Sequence, residues 1–210
     1  HWFNLLANSF AISWLLQSWK NIVLSVAEHH ANIVPWQALQ RVIDFEIRRC
    51  GVDLVSWKLD IESLATLCDE NTVLVSVTAI SNVLGVDNSV ADIKDLVWSD
   101  VIICVDASQL IPHFTWTIDN LNADVVVRTW HKMFAYPGVG WIWMSQRALD
   151  LLPSWSWGGG VVQDVTCEWF SLKKWYESWE AGTLNLAWIA SLWEACRWMN
   201  QYDREFENKR

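Results

Sequence analysis

The segment Val101-Ile-Ile-Cys-Val-Asp-Ala-Ser-Gln109 carries the pattern that predicts the fold of this 210-residue chain. Its first half, Val101–Val105, is entirely apolar, and a carboxylate and two polar side chains follow at once. A short apolar run without alternation is typical of a strand that is buried on both faces of a sheet. Ligands of parallel sheets bind beyond the carboxyl ends of the strands, so Asp106 and Gln109 are candidates for a binding site.

Similar runs, rich in Val and Ile, recur along the chain and alternate with helical patterns. The predicted strands are Asn21–Val26, Val52–Val55, Val73–Thr78, Val101–Val105, Asp124–Arg128 and Val139–Met144. The predicted helices are Pro35 to a stop at Gly51, Ile61–Cys68, Ala91–Val97, Gln146–Leu152 and Asn185 to about Tyr202. This alternation predicts an α/β fold with a mostly parallel central sheet and helices on both faces.

Two further features of the organisation follow from the pattern. The turn Ala135–Gly138 is too short for a helical crossover, so we expect Val139–Met144 to run antiparallel to the strand before it. No linker or internal repeat interrupts the chain, which predicts one domain over residues 1–202 and a polar tail, Asp203–Arg210.

Composition excludes several classes of protein. The net charge of −9 disfavours nucleic-acid binding, which requires a basic surface. With 52% hydrophobic and 19% charged residues the chain is too apolar for a disordered protein, yet no run approaches the roughly 18 apolar residues of a membrane helix. The five cysteines form no C-x-x-C pair, so neither a disulfide framework nor a zinc site is expected. No targeting signal is visible, and we expect a cytoplasmic protein without a bound metal.

Polar groups follow four of the predicted strands, and together they match the needs of one cofactor. These groups are His29 after the first strand, Asn82 after Val73–Thr78, Asp106 and Gln109 after Val101–Val105, and Thr129, His131 and Lys132 after Asp124–Arg128. Pyridoxal phosphate (PLP) requires a lysine for a Schiff base, a carboxylate for its pyridinium nitrogen, a planar group over its ring and donors for its phosphate.

Five motifs of the chain resemble those of group II cysteine desulfurases and selenocysteine lyases, which are PLP enzymes of fold type I and of the class V aminotransferase type. They are E-H-H-A-N-I-V-P-W (Glu28–Trp36), S-N-V-L-G (Ser81–Gly85), V-D-A-S-Q (Val105–Gln109), H-K-M (His131–Met133) and E-A-G-T-x-N (Glu180–Asn185). Their order and spacing match the family, and the first motif is the most specific. The resemblance implies that residues 1–202 are part of the PLP-binding large domain.

The resemblance also implies a role for each matching residue. Lys132 would bind PLP covalently and act as a catalytic residue. His29 would stack on the ring and would be the second catalytic residue. Asp106 would pair with the pyridine nitrogen, Gln109 would hydrogen-bond the phenolic oxygen, and Asn82 would lie near the substrate carboxylate. Thr129 and His131 would bind the phosphate, and Thr183 would reach the phosphate in the partner subunit. The last role implies a homodimer with shared active sites.

The chain departs from the family at both ends. The resemblance covers about the central half of a family member, without most of the small domain that carries an arginine and a nucleophilic cysteine. We therefore expect a fragment of a cysteine desulfurase that acts on L-cysteine and delivers sulfur to an acceptor protein for iron–sulfur cluster assembly. The alternatives are another class V aminotransferase or PLP lyase, and a truncated paralogue that serves as a dimerising scaffold.

Tryptophan is in excess and glycine is deficient. The chain has 18 tryptophans and 8 glycines, whereas the usual glycine share of about 7% predicts roughly 15 glycines. Six tryptophans stand where the resembling family tends to have glycine, namely Trp2, Trp19, Trp57, Trp130, Trp188 and Trp193. We hypothesise that the gene comes from an organism that reads UGA as glycine. An indole at position 130 is expected to crowd the phosphate site.

Overall fold

The computed structural model describes residues 1–114 and 117–201. Its centre is a six-stranded sheet with the strand order β2-β1-β3-β4-β5-β6. The strands are β1 (Asn21–Ser25), β2 (Glu46–Cys50), β3 (Thr72–Thr78), β4 (Ile102–Asp106), β5 (Val125–Thr129) and β6 (Gly140–Met144). A separate antiparallel hairpin consists of β7 (Val162–Val165) and β8 (Phe170–Leu172).

The predicted direction of the strands is confirmed. The strands β1 to β5 pair in parallel, and β6 pairs antiparallel with β5, where Thr129 lies opposite Gly140. The chain reverses within the ten residues between these two partners, which leaves no room for a helical crossover. The carboxyl ends of β1, β3, β4 and β5 therefore lie at one edge of the sheet.

Helices cover both faces of the sheet, as predicted. They are α1 (Trp2–Ile12), α2 (Val34–Leu39), α3 (Ile61–Leu67), α4 (Ile93–Leu96), α5 (Leu110–His113), α6 (Gln146–Leu151) and α7 (Leu186–Met199). Short 3₁₀ turns occupy His30–Asn32, Val90–Asp92, Ile118–Leu121, His131–Met133 and Trp175–Trp179.

Alternate residues of the buried strands supply two hydrophobic cores. In β4, Ile103 and Val105 belong to the core that contains α3, α4 and α5 residues, whereas Ile102 and Cys104 belong to the core under α1, α2 and α6. Strands without a solvent-facing side need no polar alternation, which explains the continuous apolar runs in the sequence.

The second strand lies elsewhere than predicted. The predicted helix from Pro35 to Gly51 ends at Leu39, and Glu46–Cys50 forms β2 at the edge of the sheet. Its charged residues, including Glu46 and Arg48, are tolerated because an edge strand has solvent beside it, and they hide the strand from a search for apolar runs. The predicted strand Val52–Val55 is instead an exposed turn, in which the Asp53 carboxylate accepts hydrogen bonds from the backbone of Val55 and Ser56.

The last third of the chain also differs in detail. The predicted helix from Asn185 to about Tyr202 spans Leu186–Met199, capped by the Asn185 side chain, while Tyr202 and the predicted tail Asp203–Arg210 lie outside the described residues. The hairpin of β7 and β8 was not predicted, because its strands are short and exposed. None of the described helices combines the length and the apolar character required to cross a bilayer.

Candidate active site

A cleft of about 490 Å³ opens at the carboxyl edge of the sheet. The strand ends β4 and β5, the loop after β1, the start of α1 and the start of β6 form its walls. The lining residues are His1, Trp2, Phe3, His29, Ala31, Asp106, Ser108, Val127, Arg128, Thr129, His131, Lys132, Gly138, Val139 and Gly140. Five of the eight candidate residues from the sequence are among them: His29, Asp106, Thr129, His131 and Lys132.

Asp106 and Lys132 reach the cleft from neighbouring strands. Asp106 is the last residue of β4 and only 6% exposed, and its Oδ1 accepts a hydrogen bond of 2.9 Å from the Ser108 backbone N–H. No described residue donates to its Oδ2, so that oxygen can pair with a cation in the cleft. Lys132 lies in the 3₁₀ turn after β5, is half-buried, and makes no ion pair with any described residue. A carboxylate and an amine thus face one space without neutralising each other.

Two histidines are fixed by local hydrogen bonds. The Nδ1 atom of His29 accepts a hydrogen bond of 3.1 Å from the Ala31 backbone N–H, so in the neutral ring the proton is on Nε2. Nδ1 of His131 lies 2.8 Å from Thr129 Oγ1. The hydroxyl and the imidazole therefore form a pair of hydrogen-bonding groups at one end of the cleft, which suits an oxyanion such as phosphate.

Glu28 forms a buried polar network directly behind His29. One carboxylate oxygen accepts hydrogen bonds from Ser25 Oγ and from the Thr78 backbone N–H, and the other accepts from Asn32 Nδ2 at 2.7 Å. Burial, together with the nearby carboxylate of Asp106, raises the pKa of Glu28 to about 8, although the hydrogen bonds oppose this rise. The network joins the ends of β1 and β3 to the turn that carries His29, and so fixes the wall of the cleft.

Three candidate residues do not line the cleft. Gln109 is partly buried beside Ser108, which does line it, whereas Asn82 is exposed in the turn after β3. Thr183 is exposed in the loop before α7. The structure therefore brings five of the predicted residues together and leaves three outside.

Arg128 and Trp2 line the cleft but were missed by the sequence reasoning. The Arg128 guanidinium lies 4.2 Å from the ring centre of Trp141, and burial lowers its pKa. The sequence does contain a signal for Arg128, because a charged residue near the end of the apolar run Val125–Thr129 indicates a position at the binding edge of the sheet. Trp2 was considered only as a replaced glycine, and its ring lies against Gly140, where an added Cβ would come within 3.2 Å of two ring atoms.

The indole of Trp130, which is expected to crowd the phosphate site, is not among the side chains that line the cleft. Trp130 is 8% exposed and packs with Ala135 and Ala195 on the side of α7, and Val139, which lines the cleft, packs against the same cluster. The backbone turn into His131–Met133 directs the side chain there. Its Nε1–H is buried and has no hydrogen-bond partner among the described residues.

None of the five cysteines lines the cleft. All five are free, and Cys50 and Cys104 are fully buried. Burial raises the pKa of Cys50 to about 12 and that of Cys68 to about 11, and it raises the pKa of Cys104 as well. These three thiols are therefore poor nucleophiles at neutral pH.

Comparison with known proteins gives consistent results. The family model for class-V aminotransferases matches residues 1–210. A cysteine desulfurase of Shigella sonnei (strain Ss046) is 34% identical over 199 residues, which are 94% of this chain and 48% of that protein. The chain thus spans about half the length of the curated relatives it matches.

Solved structures agree with the sequence comparison. The cysteine desulfurase CsdA from Escherichia coli superposes with a TM-score of 0.89 at 27% identity, over 96% of this chain and 50% of that one. The fold also matches C-DES, solved as a mutant with glycine covalently linked to its PLP cofactor, with a TM-score of 0.78 at 19% identity over 96% of this chain and 55% of that one. The polar groups at the carboxyl edge of the sheet and the match along the whole chain lead to one conclusion: the chain belongs to the class-V aminotransferase family.

Proposed function

We propose that this chain is the cofactor-binding part of a PLP-dependent cysteine desulfurase, which removes sulfur from L-cysteine and leaves alanine. The observation that carries the proposal is that Lys132, which forms no ion pair within the described part of the chain, and the buried carboxylate of Asp106 line one cleft of a chain 34% identical to a cysteine desulfurase. The fit to PLP rests on three features: a lysine that forms no ion pair with any described residue, a carboxylate oxygen that accepts no hydrogen bond from the described residues, and a hydroxyl–imidazole pair.

Each residue of the cleft has a task that suits its chemistry. Bound PLP supplies an electron sink for bond breaking at the substrate carbon next to the amino group. The Asp106 carboxylate would keep the pyridine nitrogen protonated, and the Lys132 amine would hold the cofactor covalently and act as the base toward the proton on the substrate Cα. His29 would cover the ring, and Thr129 and His131 would donate to the phosphate. Gln109, at the start of α5, and Asn82, in the turn after β3, would contact the phenolic oxygen and the substrate carboxylate region.

In the proposed reaction a cysteine thiolate attacks the sulfur of the substrate. The carbon–sulfur bond breaks with its electron pair going to the substrate carbon, which is protonated to give alanine, and the attacking cysteine keeps the sulfur as a persulfide. No cysteine of this chain lines the cleft, so we propose that the accepting thiol belongs to another part of the protein or to a partner. An acceptor protein then carries the sulfur to iron–sulfur cluster assembly in the cytoplasm. The exposed position of Thr183 is consistent with a homodimer in which this residue reaches the partner's cleft. Residues 1–202 are the PLP-binding domain in this proposal.

Covalent labelling tests the proposal directly. The protein is treated with PLP, reduced with borohydride and digested, and the modified lysine is located by peptide mass. We expect the adduct at Lys132 and its loss in Lys132→Ala. The matched control is Lys58→Ala, which removes an exposed lysine outside the cleft and should leave the adduct unchanged. Equal labelling of several surface lysines, with Lys132 unmodified, would contradict the proposal.

The two alternatives predict different results. A scaffold without cofactor forms no specific adduct, whereas another PLP enzyme of the class forms the adduct but releases no sulfide from cysteine in the whole protein. No separate observation in the structure favours either one. A scaffold has no physical reason to retain in one cleft both Lys132, without an ion-pair partner among the described residues, and the buried carboxylate of Asp106.

A further inference from the structure

Three tryptophans have a backbone conformation that suits glycine. The angle φ is +63° at Trp14, +59° at Trp57 and +56° at Trp175. In this left-handed region the Cβ atom of an L-residue approaches the following carbonyl oxygen, and for a bulky side chain the conformation is a genuine outlier. Glycine adopts it freely because it has no Cβ.

No compensating burial accounts for the three indoles. Trp14 is 78% exposed, Trp175 58% and Trp57 49%. A strained backbone persists when the surrounding structure holds it in place, and an exposed side chain offers little packing for that purpose. The sequence pattern had singled out only Trp57 of the three, so Trp14 and Trp175 are independent additions.

Trp36 shows what a well-fitted tryptophan looks like in this fold. It is fully buried in α2, its Nε1–H donates to Asn32 Oδ1 at 3.2 Å, and its ring meets Phe10 edge to face at 5.6 Å between ring centres. The indole contributes both a hydrogen bond and a large buried area. The chain therefore contains tryptophans of two physical kinds.

We propose that positions 14, 57 and 175 are glycine in the native protein, encoded by UGA codons that the source organism reads as glycine, whereas position 36 is tryptophan. Glycine at these three positions would account for part of the deficit of roughly seven glycines against the usual share. Trp188 and Trp193 lie in the helix α7 and have ordinary backbone angles, so the backbone conformation does not show whether the native residue there is glycine or tryptophan. This proposal does not depend on the proposed function.

Peptide mass spectrometry of the protein from its native cells tests the proposal with an internal control. Cleavage after Lys and Arg gives one peptide, Cys50–Lys58, that contains Trp57 alone and another, Asn21–Arg41, that contains Trp36 alone. We expect the mass of glycine at 57 and of tryptophan at 36, and fragment ions of the peptides His1–Lys20 and Trp175–Arg197 that place glycine at 14 and 175. Tryptophan at position 57 would overturn the proposal. Glycine at position 36 would also overturn it, because burial and packing would then not distinguish native tryptophans from native glycines.

Discussion

At the scale of single residues, burial couples the protonation of Glu28 to folding. Its pKa is about 8 in the folded protein against an ordinary 4.5, so between these values the folded state holds a proton that the unfolded state has lost. Stability therefore falls as pH rises through this window, by at most about 1.4 kcal/mol per pH unit from this group. We expect Glu28→Gln to remove this slope in urea unfolding followed between about pH 5 and 8.

The exposed Glu62 provides the control for Glu28. Glu62→Gln in α3 should leave the slope as in the parent protein. Glutamine at position 28 keeps an acceptor for the Thr78 N–H, but its amide donors point toward the amide donors of Asn32, which lowers stability at every pH. The comparison therefore uses the slope of the unfolding free energy against pH and not its absolute value. Identical slopes in Glu28→Gln and the parent would show that Glu28 does not titrate with folding.

The backbone at Trp57 leads to a second prediction at this scale. A left-handed conformation costs a side-chain-bearing residue roughly 1–2 kcal/mol, and the half-exposed indole recovers little of it. Trp57→Gly should therefore raise the free energy of unfolding by about 1 kcal/mol, whereas Trp57→Ala should gain less because alanine keeps the Cβ. Trp36→Gly should instead lose at least about 3 kcal/mol. A loss of stability in Trp57→Gly, measured by urea unfolding, would refute the strain argument.

At the scale of secondary-structure elements, Asp124 joins three strands and two helices. Its side chain, 2% exposed, pairs with Lys94 at 3.3 Å and Arg147 at 3.2 Å and accepts from the Ile103 backbone N–H at 3.1 Å. Ser145 Oγ, at the end of β6, also donates to it. Removing the carboxylate leaves the buried Ile103 N–H without its acceptor and deprives two cations, each about a third exposed, of their partner, so Asp124→Ala should destabilise the protein by about 2–3 kcal/mol. Exposed Asp119→Ala should change stability by less than about 0.5 kcal/mol in the same urea titration.

Which elements could be predicted from the sequence depends on how completely each is buried. The strands β1, β3, β4 and β5 are apolar runs because both faces are covered, and the direction of β6 follows from the short turn before it. The strand β2 escaped because an edge strand tolerates Glu46 and the arginines that follow, and its pairing with β1 overrides the local helical pattern. The ends of buried strands likewise located Asp106 and Lys132. The positions of Asn82 and Thr183 depend on loops, whose course the local sequence does not determine.

At the scale of the whole molecule, ligand binding and stability are linked through the cleft. A ligand that binds only the folded protein stabilises it by about 2.7 kcal/mol at roughly 100 times its Kd. For a chain of this size each kcal/mol raises Tm by about 2–4 °C. If PLP occupies the cleft, saturating PLP should therefore raise Tm by about 5–10 °C in a thermal unfolding experiment.

Variants of the cleft should change this PLP-dependent shift in Tm in a set order. Lys132→Ala removes the covalent attachment and should lose most of it, while Thr129→Ala, which removes one donor of the hydroxyl–imidazole pair, should lose part. Trp2→Gly should enlarge the shift, because the ring of Trp2 fills the cleft against Gly140. Lys58→Ala, outside the cleft, should leave it unchanged. An equal shift in all four variants would mean that PLP binds elsewhere. Lys132→Ala and Thr129→Ala remove groups that would hold PLP, Trp2→Gly gives it more space, and the control Lys58→Ala leaves the cleft intact.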